Sequence, residues 1–146
     1  MVYEWKQNIY KTDAQIAGEV CEELEKTVGL TSQTLLDASR PDDAPLHNEF
    51  EWNDSKAAEK YREEQARHII CNLSVVSEVT EPTRAFVTLH TKVGEKSNYE
   101  PVIEVMKDGD KQKQLLEQAK RELGFFKTKY QTLIELAGVI REIDKL

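Results

Sequence analysis

A chain of 146 residues, 39% of them apolar, has the length of one ordinary domain and enough apolar matter for a core without disulfide staples. Lys+Arg of 20 against Asp+Glu of 27 leaves a net charge of −7, which on average repels nucleic acid and anionic membranes and points to a neutral, basic or protein partner. No apolar run approaches the roughly 18 residues a membrane span needs, and Met1 leads straight into Val2-Tyr3-Glu4-Trp5 with no basic region and apolar core behind it, so a soluble, cytoplasmic protein without a membrane partner is expected.

After an opening of strand character around residues 3–10, Thr12 with Gln15 makes a capping-box pattern that starts a helix. Ile16, Val20, Leu24 and Val28 follow at four-residue spacing and predict its buried stripe. Gly29 ends that helix where a left-handed backbone is easiest. Thr31 or Ser32 then caps a short second helix through Leu35, Leu36 and Ala38, which Pro41 closes.

Residues 40–53 hold two prolines, His47 and the aromatics Phe50 and Trp52, and read as a long connection pinned by its apolar residues. Asn53 or Asp54 is expected to cap a third helix running to about Ile70, with Ala57, Ala58, Tyr61, Gln65, His68 and Ile69 facing inward and a charged outer face. From Leu73 the pattern turns β-branched through Val79, then Pro82, then Arg84 to His90, which predicts a hairpin. Gly94 to Asn98 reads as a loop, Tyr99 to Met106 as a third strand, and Asp108-Gly109-Asp110 as a break before the last element.

From about Gln114 to Leu146 the periodicity predicts one long amphipathic helix. Leu116, Ala119, Leu123, Phe126, Tyr130, Leu133, Ala137 and Ile140 fall at alternating steps of three and four, the coiled-coil period. At 1.5 Å per residue such a helix would span about 45–50 Å, longer than a small core is wide. Pairing between copies through Leu116, Leu123, Phe126, Tyr130, Leu133 and Ile140 is therefore expected, with folding back onto its own domain as the competing reading. Gly124 and Gly138 within it suggest a close helix approach or a bend. The fold class predicted is α+β: a small helical N-terminal domain over residues 1–106, with winged-helix-like element order and a hairpin or three-stranded sheet, then a C-terminal oligomerisation helix over 107–146.

Helix, short helix, helix, then strands is the order of a winged helix-turn-helix, so DNA binding is an alternative. Residues 1–70, the presumptive reading head, carry eight Lys+Arg and fifteen Asp+Glu, while residues 71–146 carry twelve of each. That disfavours nucleic acid. On the third helix Lys56, Lys60, Arg62 and Arg67 sit among Glu59, Glu63 and Glu64, the pattern of a solvated, ion-paired face such as Glu63 with Arg67. If DNA is bound, Lys111, Lys113, Lys120, Lys127 and Lys129 are the candidate phosphate contacts.

His47, Glu49 and Glu51 alternate behind Asp42 and Asp43, but no second cluster converges on them, and no metal is assigned. His68 and Cys71, three apart on one helix, lack an orienting partner or an oxyanion turn for a nucleophilic pair. Cys21 and Cys71 read as two buried thiols in a reducing compartment. Neither a Walker loop nor a dinucleotide fingerprint occurs, so no cofactor and no enzymatic activity is expected.

The segment from Leu36 to Pro41, and above all the block LHNEFEWNDSKAAEKYREEQARHII from Leu46 to Ile70, resembles a block in small proteins of bacteriophages and prophages. The resemblance covers about a quarter of the chain. It implies a phage or mobile-element origin, and hence a bacterial host cytoplasm, without a biochemistry to carry over residue by residue. Within the block, His47, Phe50, Trp52, Arg62 and Arg67 combine aromatics with arginines, the composition of interface anchors. The function expected is a non-enzymatic accessory protein, an oligomeric module engaging a host or phage protein. The alternatives are a DNA-binding regulator and a structural subunit of a phage assembly.

Overall fold

The structure of the protein is a computed structural model; it describes residues 1–54, 56, 58–79, 81–89 and 98–146. Strand β1 (Val2–Trp5) is followed by helices α1 (Ala14–Lys26), α2 (Ser32–Ser39) and α3 (Glu59–Cys71), strands β2 (Leu73–Val76), β3 (Thr83–Arg84), β4 (Phe86–Thr88) and β5 (Tyr99–Pro101), and helices α4 (Val102–Lys107), α5 (Gly109–Tyr130) and α6 (Ala137–Ile143). This is the α+β class expected, with three helices preceding the hairpin and a C-terminal helix. The strands form two antiparallel sheets, ordered β1-β2-β3 and β4-β5.

Strand β1 lies at an edge, pairing Tyr3 with Val75 and Trp5 with Leu73. Its outer rim is closed by a side chain. The Gln15 amide accepts from the Tyr3 N–H at 3.0 Å and donates to the Met1 carbonyl at 2.9 Å, taking the place of a further strand's backbone. Closing an edge in this way removes a template for strand addition.

Asp13, one residue after the expected Thr12, caps α1 by accepting from the Gln15 N–H at 2.8 Å. Gln15 is occupied with β1, and the Thr12 hydroxyl reaches toward the Pro45 carbonyl at 3.4 Å. The buried stripe of α1 is also rotated from expectation: Ala14, Ala17, Gly18 and Cys21 are buried, whereas Ile16 and Val28 are exposed and only Val20 and Leu24 pack partly on the core. Small residues win this face because the Tyr3 ring lies directly on it. Gly29 closes the helix with φ of 89°, and Thr31 caps α2 in a reciprocal box with Thr34.

Helix α3 starts at Glu59, not at the expected Asn53 or Asp54, because those two residues belong to the incoming turn and Asp54 is bound to Arg62. Its buried positions are Arg62, Ala66, Ile69 and Ile70. Tyr61, Ala58 and His68, expected inside, are exposed; Ala57 lies outside the described residues. The core joins Tyr3, Cys21, Leu30, Leu35, Leu36, Leu46, Ile69, Ile70, Leu73 and Phe86 from both sheets and the first three helices.

The expected hairpin forms as β2 with β3, while Phe86 to Thr88 turns away to pair with Tyr99–Pro101. His90 and residues 94–97, read as strand end and loop, lie outside the described residues. Only Tyr99–Pro101 of the expected third strand is strand, since the chain passes into α4 after Pro101, whose φ of −59° suits a helix entrance. The expected domain boundary between residues 106 and 107 falls inside α4.

Asp108 caps α5 by accepting from the N–H groups of Asp110 and Lys111. The C-terminal helix does not run unbroken from Gln114 to Leu146. It stops at Tyr130, and residues 131–136 turn before α6, so Leu133 is in the turn and α6 comes back beside α5, where Lys127 pairs with Asp144. Gly124 and Gly138 mark neither a close approach nor the bend: nothing lies within 4 Å of a Cβ built at either, and the helix breaks between them, at residues 131–136. Among the described residues, no helix is long and apolar enough to cross a membrane.

Candidate interaction surfaces

The connection from α2 to α3 is held by a clasp. A short 3₁₀ turn at His47–Glu49 places His47 flat against Trp52, with ring centroids 4.8 Å apart and planes within 7°. The Trp52 indole N–H donates to the His47 carbonyl at 2.7 Å, and His47 Nδ1 lies 2.9 Å from the Ser39 carbonyl. Phe50 packs beside Trp52 at 5.7 Å. Arg62 reaches across from α3: its guanidinium stands 5.3 Å from the Trp52 ring centre, donates through Nε to the Glu51 carbonyl at 2.9 Å, and pairs with Asp54. A planar, forked cation suits this combination of stacking and hydrogen bonding.

Four of the five residues expected on a binding surface are thus gathered: His47, Phe50, Trp52 and Arg62. They are gathered inward, with Phe50 6% and Arg62 7% exposed, so most of their surface holds the loop to α3. Arg67 stands apart, paired with Glu64 at 2.6 Å in place of the expected Glu63; their contact lifts the guanidinium and lowers the carboxylate from their ordinary values.

Cys21 is fully buried, and burial with the nearby Glu22 pushes its thiol up to about 12. Cys71, expected to be buried as well, is only half-buried because α3 ends there beside β3. Its sulfur meets the Arg84 guanidinium at 2.7 Å and the Tyr99 hydroxyl at 3.9 Å. His68 turns instead to Arg67 at 3.3 Å, so the two do not form a pair. The Tyr99 hydroxyl is pushed up to about 12, first by burial and then by Cys71. Among the described residues no three His, Cys, Asp or Glu side chains converge as a metal site would require.

Helix α5 has no buried residue along its 22 positions. Of the expected pairing residues, Leu116 is 52% exposed, while Leu123, Phe126 and Tyr130 are half-covered on the stretch that α6 flanks. Phe126 and Tyr130 meet as a tilted pair, ring centroids 5.0 Å apart and planes at 53°. Ile140 is buried and Leu133 exposed. The last turns fold back onto α5 itself and shield part of the stripe, while the first half of α5 touches the rest of the domain through Lys111 with Glu100 and through the Gln118 amide, which donates to the Thr88 carbonyl at 3.2 Å. Lys111, Lys120 and Lys127 are paired with Glu100, Glu117 and Asp144, which reduces the charge that the lysine row presents.

A second feature had no sequence signal because its residues are far apart in the chain. Met1, Glu22, Glu25, Lys26, Pro101, Ile103, Glu104 and Lys107 line a cleft of about 480 Å³ between α1 and α4. Met1, Pro101 and Ile103 are its apolar lining, and its charged lining is mixed, three carboxylates with Lys26 and Lys107, of which Lys107 pairs with Glu104 at 3.4 Å.

No protein family matches the chain, and no curated protein or solved structure is detectably similar to it.

Proposed function

We propose that the protein is a non-enzymatic accessory module of phage or mobile-element origin, which binds protein and self-associates through its C-terminal helix. The observation that carries this is α5 itself: 22 residues, none buried, with Leu116, Ala119 and Leu123 on one face. An isolated helix of about 33 Å gains little stability in water without packing along an apolar face, so a chain that keeps these residues has a use for that face. The acidic N-terminal half favours a protein partner over nucleic acid, and the pairing of three of the five lysines works in the same direction. The phage origin rests on the resemblance of the Leu46 to Ile70 block.

Solution mass by light scattering tests this. The wild type is expected at a multiple of the chain mass and Leu116→Asp with Ala119→Asp at the monomer mass. A monomeric wild type overturns self-association, and a salt-sensitive mobility shift of duplex DNA would replace protein binding with DNA binding.

A further inference from the structure

Two clefts meet at Cys71. The residue ends α3 half-buried. On one side of it lies a cleft of about 320 Å³ whose lining includes Lys6, Tyr10, His68 and Asn72, and on the other a cleft of about 360 Å³ whose lining includes Glu4, Lys6 and Arg84. Cys71 and Lys6 line both. A guanidinium donates and cannot accept, so in the 2.7 Å contact with Arg84 the Cys71 sulfur is the acceptor, and the cation stands where the charge of an attacking thiolate would form. Cys21, fully buried, has no such access.

The charge around the sulfur is uneven. Among the described residues the first cleft is lined by no carboxylate, and the second by Glu4 against both Lys6 and Arg84. Arg62, Arg67 and Lys111 are each bound to an acid, whereas among the described residues neither Lys6 nor Arg84 makes an ion pair. A thiol in the middle of a short peptide with a carboxylate on each arm fits this arrangement. Its sulfur reaches Cys71, one arm enters each cleft, and the two carboxylates meet Lys6 on one side and Arg84 on the other.

We propose that Cys71 is a site of reversible S-thiolation by a small peptide thiol carrying carboxylates on both arms. The Cys71 thiolate attacks one sulfur of that thiol's symmetrical disulfide. A bond forms between Cys71 Sγ and that sulfur, the reagent's own disulfide bond breaks, and the departing thiolate takes up a proton in place of the one Cys71 gave to solvent. The disulfide is the oxidant: one of its halves leaves reduced as the thiol, and Cys71 is oxidised to the mixed disulfide. The site lies apart from α5 and does not depend on self-association.

The test incubates the full chain near neutral pH with oxidised glutathione, which carries a carboxylate on each arm, or with cystamine, a disulfide ending in ammonium groups. Adducts are followed by intact mass and peptide mapping. Oxidised glutathione is expected to add once, at Cys71, and not to Cys71→Ser. Its rate relative to cystamine should be at least about tenfold higher in the folded protein than in the urea-unfolded chain, because local cations concentrate an anionic reagent. Lys6→Gln with Arg84→Gln should bring this ratio down to the unfolded value, and Arg84→Lys should keep it. An unreacted Cys21 reports that a variant is folded; where the double variant exposes Cys21, the two single substitutions are read in its place, each expected to lower the ratio. A folded protein that gains no adduct at Cys71 overturns the site. A ratio equal to that of the unfolded chain, or one indifferent to the loss of the cations, overturns the assignment of a carboxylate-bearing thiol.

Discussion

The ring of Tyr3 occupies the space that a side chain at position 18 would need: a Cβ built on Gly18 comes within 2.1 Å of Tyr3 Cδ2 and 2.3 Å of Cγ. Strand β1 and helix α1 touch backbone to ring there, and the Tyr3 hydroxyl continues across the helix to Glu22 at 2.6 Å. The same ring lies 6.1 Å from Phe86, nearly parallel to it, so one side chain ties the first strand to the first helix and the second sheet.

Gly18→Ala should therefore destabilise the fold even though alanine favours helix. The helical gain is about 1 kcal/mol, and overpacking against a ring fixed on both sides costs typically 1–3 kcal/mol, with a larger loss if β1 is displaced. A denaturant midpoint lower than that of the wild type is expected. An unchanged or raised midpoint would mean that Tyr3 can withdraw without loss.

At the clasp, Arg62→Ala should cost about 1.5–3 kcal/mol, since a buried guanidinium carrying hydrogen bonds to Glu51 and Asp54 is lost together with its packing over Trp52. Arg62→Lys should recover less than half of this, because an ammonium cannot lie flat on the ring and fork to two acceptors. Urea unfolding of the three proteins distinguishes a clasp from a simple ion pair, for which lysine would restore most of the stability.

The fold class was legible in local pattern. Gly29, Thr31 and the β-branched run after Leu73 each carry chemistry that acts within a few residues, and their elements form where expected. What failed depends on distance. The stripe of Ile16, Val20, Leu24 and Val28 was read by hydropathy alone, but the face of α1 is chosen by a tyrosine fifteen positions before Gly18, which rewards small residues over large ones. The clasp aromatics were identified, yet that they turn inward follows from Arg62 arriving over Trp52, which no periodicity encodes. The unbroken heptad count beyond Tyr130 ignored that a short helix can return along its predecessor and satisfy the same apolar residues. The α1/α4 cleft joins residues about eighty positions apart and left no local trace.

Gly124 tests whether its place in α5 has a packing reason. No atom lies within 4 Å of a Cβ built there, and the position is helical, so Gly124→Ala should stabilise the protein by roughly 0.5–1 kcal/mol through the lower entropy of the unfolded chain. If thermal unfolding instead shows a loss, position 124 is in contact with something in solution. Combined with solution mass, that loss would locate an interface at the middle of α5.

Alkaline pH should weaken the fold through three buried groups whose folded values all lie above their ordinary ones. Burial, then the hydrogen bond to Glu22, raises Tyr3 from 10.0. Burial, then Cys71, raises Tyr99 from 10.0 to about 12, and burial, then Glu22, raises Cys21 from 9.0 to about 12. The unfolded chain releases these protons near pH 9 to 10 while the folded chain keeps them, so the unfolded state binds fewer protons and stability falls as pH rises. Their contribution is full below about pH 9 and is progressively lost between about pH 9 and 12. Unfolding midpoints measured at pH 7, 9 and 10.5 should be level between the first two, as far as these groups decide it, and lower at the third. Tyr3→Phe should soften the alkaline fall by removing one of the three protons, at the cost of the Glu22 hydrogen bond near neutrality; an equally steep fall in that variant would show that the Tyr3 hydroxyl is not held protonated by the fold.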